Sequence, residues 1–486
     1  MIRSDRLAAW LVTGALAGLV GGVVLALAML KLGMMASMAL IVTARESLGV
    51  GLVVHFALSA VFGVLFAALV RNQARRNDAL VFWGLAYGAV VWFLDPLTLY
   101  PLTSGQPVTW SLDAAQSSFD LLLGFLLFGA TTGLALLILS RPVVRRPSLT
   151  GIGLGAAAGL AAAAIAAGLL NDQGLTPTFA ALPSDTAGLL AWLAALIIGA
   201  VAGAGFAALA QRPSDSAGAG LVRGAMYGFL LWVVLRLTIL PLILDGDLAW
   251  SVTAAAEAYP ALLAYLVFGG FLGVGYQWLR GLWRVLFDEV DSSDDEEGVG
   301  TRGLRALGRG IAAGVVGGLL FTYVMVQVGA LRGVAGLMGG DSDIAGLVIH
   351  LVIAMLFGAA YGLLFRRQSY DAGSAVGWGV SYGFFLWILG PQILMPMLLG
   401  ATLAWSAAGA ASLTASLVGH LAYGAGLGLT YHWFETRHNP WWIARRQADE
   451  ARLQRRREAL QSAAPALWAL VLVVGLTLPV ILGTPA

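Results

Sequence analysis

Two of the five histidines in this 486-residue chain, His350 and His420, stand where imidazole chemistry can occur. Both lie inside long apolar stretches. His350 precedes Arg366 by 16 residues and His420 precedes Arg437 by 17, about 24 and 26 Å along a helix. Helices running the same way would bring the two rings to a similar depth. Such a pair can ligate a haem or another tetrapyrrole, or hold a metal with a third ligand. It can also relay protons, or each ring can simply hydrogen-bond a neighbouring helix. His55 is the third candidate, at a position that an internal repeat makes equivalent to His350. His432 and His438 fall at the inner membrane border, where solvation is expected.

Ionisable residues within the apolar stretches are few, and such residues pair with one another or face a cavity. Asp95 and Arg236 occupy nearly the same depth in equivalent helices, so a charge pair between them is expected if those helices face one another. Asp120 and Glu257 lie near outer helix ends, within reach of headgroups. Met29, Met34, Met35 and Met38 cluster at the outer end of the first apolar stretch. Thioethers of this kind suit a soft metal such as copper, but a re-entrant apolar segment is the preferred reading, since the second and third units lack the cluster.

The elements that must position these groups are membrane helices. Hydrophobic residues make up 59% of the chain and charged residues 11%, against about 25% charged in soluble proteins. Mean hydropathy is +0.84. A water-soluble enzyme is excluded by this balance, and a net charge of +2 argues against a nucleic-acid partner. No cysteine is present, which excludes disulfides and thiolate chemistry. No nucleotide-binding loop or HExxH motif occurs, which argues against an ATP-driven pump core and a zinc protease. Thirteen stretches of about twenty apolar residues are long enough to span a bilayer core. They fall near 8–30, 48–70, 79–101, 117–140, 150–170, 186–210, 221–243, 258–279, 307–329, 345–366, 376–398, 412–433 and 464–483.

Arginines set the expected orientation. Arg71, Arg75 and Arg76 follow the second stretch, Arg141, Arg145 and Arg146 the fourth, and Arg366 and Arg367 the tenth. Loops 102–116, 171–185, 244–257 and 399–411 contain neither Lys nor Arg. The positive-inside rule then places the N-terminus in the cytoplasm and the C-terminus outside, in a plasma (inner) membrane. Arg outnumbers Lys 27 to 1, a balance that GC-rich codons favour and that suggests a prokaryote.

An internal repeat organises the chain. Gly84-x2-Tyr87-Gly88-x3-Trp92, Gly224-x2-Tyr227-Gly228-x3-Trp232 and Gly379-x2-Tyr382-Gly383-x3-Trp387 open three matching segments. Nine residues on come Pro101, Pro241 and Pro396, and nine further come Trp110-Ser111, Trp250-Ser251 and Trp405-Ser406. First helices carry Gly14/Gly18, Gly155/Gly159 and Gly310/Gly314, and fourth helices Gly129/Gly133, Gly269/Gly273 and Gly424/Gly428. Small residues four apart let helix backbones approach closely. Pro96, Pro101, Pro241, Pro391 and Pro396 predict a kinked or unwound outer third of each third helix, tolerated where protein or a wet cavity satisfies the backbone. The place of His350 is taken by Trp192 in the second unit, and that of His420 by Phe125 and Tyr265.

The expected fold is therefore all-α: three parallel four-helix repeats and one C-terminal span. The units cover residues 1–146, 147–284 and 304–437, grouped about a pseudo-threefold arrangement. An acidic cytoplasmic linker (285–303), a basic interfacial helix (438–462) and the last span (463–486) complete the chain. The first stretch resembles a signal peptide, but its glycine pattern recurs in the fifth and ninth, so a retained span is expected.

The third unit resembles the YagU-like bacterial inner-membrane proteins, a four-helix family without an assigned activity. His350, the run from Gly379 and Gly383 to Pro396, Trp405, Gly419-His420-Leu421 and the basic end at Arg437 carry the resemblance. It covers about 130 residues. It implies four-helix units and supplies no chemistry. The functional expectation is a permease- or channel-like protein for a small solute. The alternative is a tetrapyrrole- or metal-binding protein, or a structural subunit with membrane-protein partners.

Overall fold

A computed structural model describes residues 4–71, 77–103, 105, 107–108, 110–140, 148–171, 187–210, 217–287, 299–365, 372–400 and 406–437, with 471, 473 and 477 near the C-terminus. The described residues are helical and contain no strand. The long helices are α1 (Ser4–Lys31), α2 (Leu48–Val70), α3 (Asn77–Leu94), α4 (Phe119–Leu139), α5 (Leu149–Asn171) and α6 (Ala187–Leu209). They continue as α7 (Ala217–Leu231), α8 (Tyr259–Phe287), α9 (Val299–Gln327), α10 (Asp343–Leu364), α11 (Ala372–Trp387) and α12 (Thr414–Arg437). In lipid the backbone must satisfy its own hydrogen bonds, and a single helix is the shortest way to do so.

Eleven of these helices are long and apolar enough to cross a membrane, fewer than the thirteen expected. The twelfth expected span is the helix α12, but Ser416, His420, Tyr423, His432 and Glu435 lower its hydropathy. The thirteenth falls almost wholly outside the described residues, as does the basic segment 438–462. The acidic linker is shorter than expected among what is described, because α8 runs on to Phe287 and α9 begins at Val299.

Helix pairing follows one scheme in three stretches of chain. α1 packs on α2, α3 on α4, and α1 on α4; α5, α6, α7 and α8 pair likewise, as do α9, α10, α11 and α12. Glycines make the closest of these contacts. A Cβ on Gly84, Gly224 or Gly379 would run into the carbonyl of Gly129, Gly269 or Gly424, and one on Gly88, Gly228 or Gly383 into that of Phe125, Tyr265 or His420. Gly14 and Gly18 meet α2 at Gly63 and Ser59, and Gly310 and Gly314 meet α10 at Gly358 and Ala354. Gly428 packs on the Ala375 carbonyl.

The repeated polar residues tie these helices together. Tyr87, Tyr227 and Tyr382 donate their hydroxyls to the carbonyls of Phe62, Ala202 and Phe357 at 2.8, 2.9 and 2.9 Å. Trp92, Trp232 and Trp387 donate Nε1–H to the carbonyls of Ser118, Ala258 and Leu413 at 2.9, 3.1 and 3.0 Å. Ser111, Ser251 and Ser406 accept from the backbone N–H of Ala114, Ala254 and Gly409, each at 3.1 Å, as N-caps of short connecting helices.

The outer thirds of the third helices are not unwound. Each passes into a π-helical turn, Asp95–Leu99, Trp232–Ile239 or Ile388–Leu394, and then into a short α-turn. The middle one contains no proline itself, and all three are followed by a proline two residues past their end. Pro101, Pro241 and Pro396 each stand second in the short α-turn that follows. Each short α-turn continues the π-turn before it, with Tyr100, Leu240 and Met395 donating their backbone N–H to Asp95, Leu235 and Gly390, and the proline that follows donates none. Pro96 stands second in its π-turn, and Pro391 lies inside its own. Carbonyls freed by the wide turns are met by side chains. Thr98 donates to Phe93 at 2.9 Å, Thr238 to Val233 at 2.8 Å, and Gln392 to Trp387 at 3.4 Å.

Candidate functional site

His350 and His420 line one cavity. It measures about 530 Å³ and lies among α9, α10, the π-turn after α11 and α12. Its wall is apolar apart from the two imidazoles, the hydroxyls of Ser416 and Tyr423, and backbone.

Each ring has one nitrogen committed. His350 Nε2 lies 3.2 Å from the Gly318 carbonyl, and His420 Nδ1 lies 2.8 Å from the Ser416 carbonyl. A carbonyl oxygen only accepts, so these nitrogens carry the protons of the neutral rings. The lone pairs are left on His350 Nδ1 and His420 Nε2. The latter faces the π-turn, 3.7 Å from where a Cβ on Gly390 would stand. Both rings also pack on Phe321, with centroids 5.0 and 4.5 Å away. Phe321 in turn fits only because residue 419 is glycine, since a Cβ there would strike its ring.

His55 makes the bond that His350 makes. Its Nε2 donates to the Gly22 carbonyl at 2.8 Å. It lines a separate, smaller cavity of about 140 Å³ with Asp95, Pro96, Ser37, Ser59, Met29, Met34 and Met38. Of the four clustered methionines, Met35 is buried elsewhere in the core. The segment that carries them includes a 3-10 helix, Ala36–Ile41, packed on α2. Among the described residues, no group of three or more His, Cys, Asp or Glu assembles that could hold a metal ion.

The two expected partners in a charge pair are not joined. Asp95 faces the smaller cavity, whereas Arg236 lies in the π-turn after α7, near Tyr265. Arg236 Nε is buried without a hydrogen-bond partner among the described residues. Ion pairs on the described surface join other groups, Lys31 to Asp247 at 3.7 Å and Arg332 to Asp343 at 3.2 Å. In a double-mutant cycle, Asp95→Asn and Arg236→Gln should therefore add to within about 0.5 kcal/mol in unfolding free energy. A coupling well above that would restore the pair.

Asp120 opens α4, half-buried, and accepts from the N–H of Leu121 at 2.8 Å. Glu257 lies outside any span, exposed at the end of the connecting helix Val252–Glu257. The second stretch lacks both histidines. Trp192 is partly exposed at the place of His55 and His350, and Tyr265 is buried at the place of His420.

Sequence reasoning did not find Phe321, Ser416 or Tyr423. Tyr423 donates to the Ala354 carbonyl at 2.8 Å and holds α12 to α10 beside the site. Gly419, directly before His420, was the one available sign that a bulky side chain from another helix arrives there. No family model, curated protein or solved structure matches the chain.

Proposed function

We propose that this multi-pass membrane protein binds a small, largely apolar solute carrying a hydrogen-bond donor and passes it through the third of three parallel four-helix repeats. One observation carries the reading: His350 Nδ1 and His420 Nε2 are uncommitted acceptors in one apolar cavity of about 530 Å³. Apolar pockets with a few placed polar groups are the usual form of small-molecule sites. A π-turn forms part of the wall, and such turns recur at functional sites. The Tyr, Trp and Ser bonds common to the three stretches support three copies of one four-helix unit. The YagU-like resemblance of the third unit accords with that division. The arginine distribution supports an N-terminus in the cytoplasm of a prokaryotic cell and an external C-terminus.

A second reading has support in the same two lone pairs: axial ligation of a tetrapyrrole, or binding of a metal with a third ligand. An absorption spectrum of protein purified from membranes separates them. The solute reading expects no Soret band, a rise in unfolding temperature with phenol or indole, and a smaller rise with benzene. It also expects indole to equilibrate faster across vesicles containing the protein than across empty ones. A Soret band retained through purification would favour the tetrapyrrole. Neither a band nor any response to these solutes would leave a structural subunit.

A further inference from the structure

The smaller cavity, between α1, α2, the first π-turn and α4, contains a carboxylate that no described residue neutralises. Asp95 begins that π-turn and lines the cavity of about 140 Å³. Its side chain has neither an ion pair nor a hydrogen bond among the described residues. Arg236 is not its partner, and the chain's single lysine, Lys31, reaches Asp247. A carboxylate at membrane depth is costly unless it is protonated or its charge is compensated, and an occupant of the cavity can bring the compensating charge.

The rest of the wall indicates what kind of cation fits. Phe62, Phe125, Phe128 and Tyr100 line the cavity, and aromatic faces attract cations. Hard divalent ions take six or more oxygen ligands, of which the carboxylate and two serines could supply only a few in a wall that is otherwise apolar. The size is also that of an organic molecule, since an apolar cavity of about 150 Å³ admits benzene. His55 has its Nε2–H committed to the Gly22 carbonyl, so that proton is not available to Asp95.

We propose that this cavity binds a small alkylammonium ion, with its charge on Asp95 and its alkyl groups against the aromatic wall. The site is distinct from the His350–His420 cavity and does not rest on the function proposed for it.

Tetramethylammonium chloride is the probe, with sodium chloride at equal ionic strength and neopentyl alcohol, an uncharged molecule of similar size, as controls. On the full chain in detergent, the unfolding temperature should rise with tetramethylammonium and not with either control. In Asp95→Asn the concentration giving half the rise should increase at least tenfold. In Phe125→Leu, which keeps the carboxylate, it should increase several-fold. His420→Phe should leave it unchanged, which separates this site from the other. If Asp95→Asn does not fold, the comparison of cation with neutral isostere and the Phe125→Leu variant decide. An equal response in Asp95→Asn, no response in the unmodified protein, or stabilisation by silver(I) alone through the three methionines would overturn the proposal.

Discussion

Replacing Gly379 by leucine should leave little folded protein in the membrane. A Cβ at this position would stand 2.9 Å from the Gly424 carbonyl carbon and closer still to its oxygen. Both obstacles are backbone, so no rotamer change can relieve them. Helices α11 and α12 would have to separate, and the Tyr382 and Trp387 bonds to Phe357 and Leu413 would stretch with them. Overpacked sites ordinarily cost about 1–3 kcal/mol, and a rigid backbone clash should exceed that range. Gly308→Leu is the control, because nothing lies within 4 Å of a Cβ built there. It should be neutral or slightly stabilising, since glycine costs about 1 kcal/mol within a helix. Detergent-extracted yield and unfolding temperature report both variants. Near-equal stability of the two would mean that α11 and α12 do not meet through these glycines.

The second large effect is expected at His420. Phenylalanine occupies the corresponding place as Phe125, so His420→Phe should fold. The substitution removes the Nε2 acceptor from the cavity and the Nδ1–H bond to Ser416. Loss of one hydrogen bond to a buried donor costs about 1–3 kcal/mol, or roughly 5- to 150-fold in affinity. Phenol or indole should therefore bind that much more weakly, while benzene should bind equally well. His350→Phe should act in the same direction and lower stability as well, because it removes the hydrogen bond that ties α10 to the Gly318 carbonyl of α9. Equal loss for phenol and benzene would trace the effect to altered packing and remove the acceptor role.

How far sequence carried this structure depends on the kind of residue. Glycine, tyrosine, tryptophan and serine in register were legible because each makes a bond or contact that few other residues can make. Gly84 must admit a carbonyl, Tyr87 must reach the next helix, and Ser111 must cap. The prolines were legible as a break but not as its form. A widened turn depends on side chains such as Thr98 and Thr238 returning to the freed carbonyls, and spacing alone does not reveal that. Depth arithmetic placed His350 and His420 together because both are counted from arginine borders along straight helices. The same arithmetic predicts that Asp95 meets Arg236, and the two are not joined. Equal depth fixes height in the membrane but not the direction a side chain faces around its helix. Phe321 escaped notice for a related reason: in an all-apolar helix, nothing in the sequence distinguishes a lipid-facing phenylalanine from one lodged between helices.

The pairing order within each group bears on how the chain is made. α1 meets α2 and α3 meets α4, each with its nearest neighbour in sequence, while α1 meets α4 across the whole unit. Two hairpins can therefore form as they emerge during synthesis, each zipped by its own glycines. The seam between them can close only after the fourth helix has been delivered. A ribosome that stalls after α3 leaves Gly84 and Gly88 facing lipid with no helix to fill the groove. Such a fragment would be marked for quality control by a missing partner rather than by any unfolded segment.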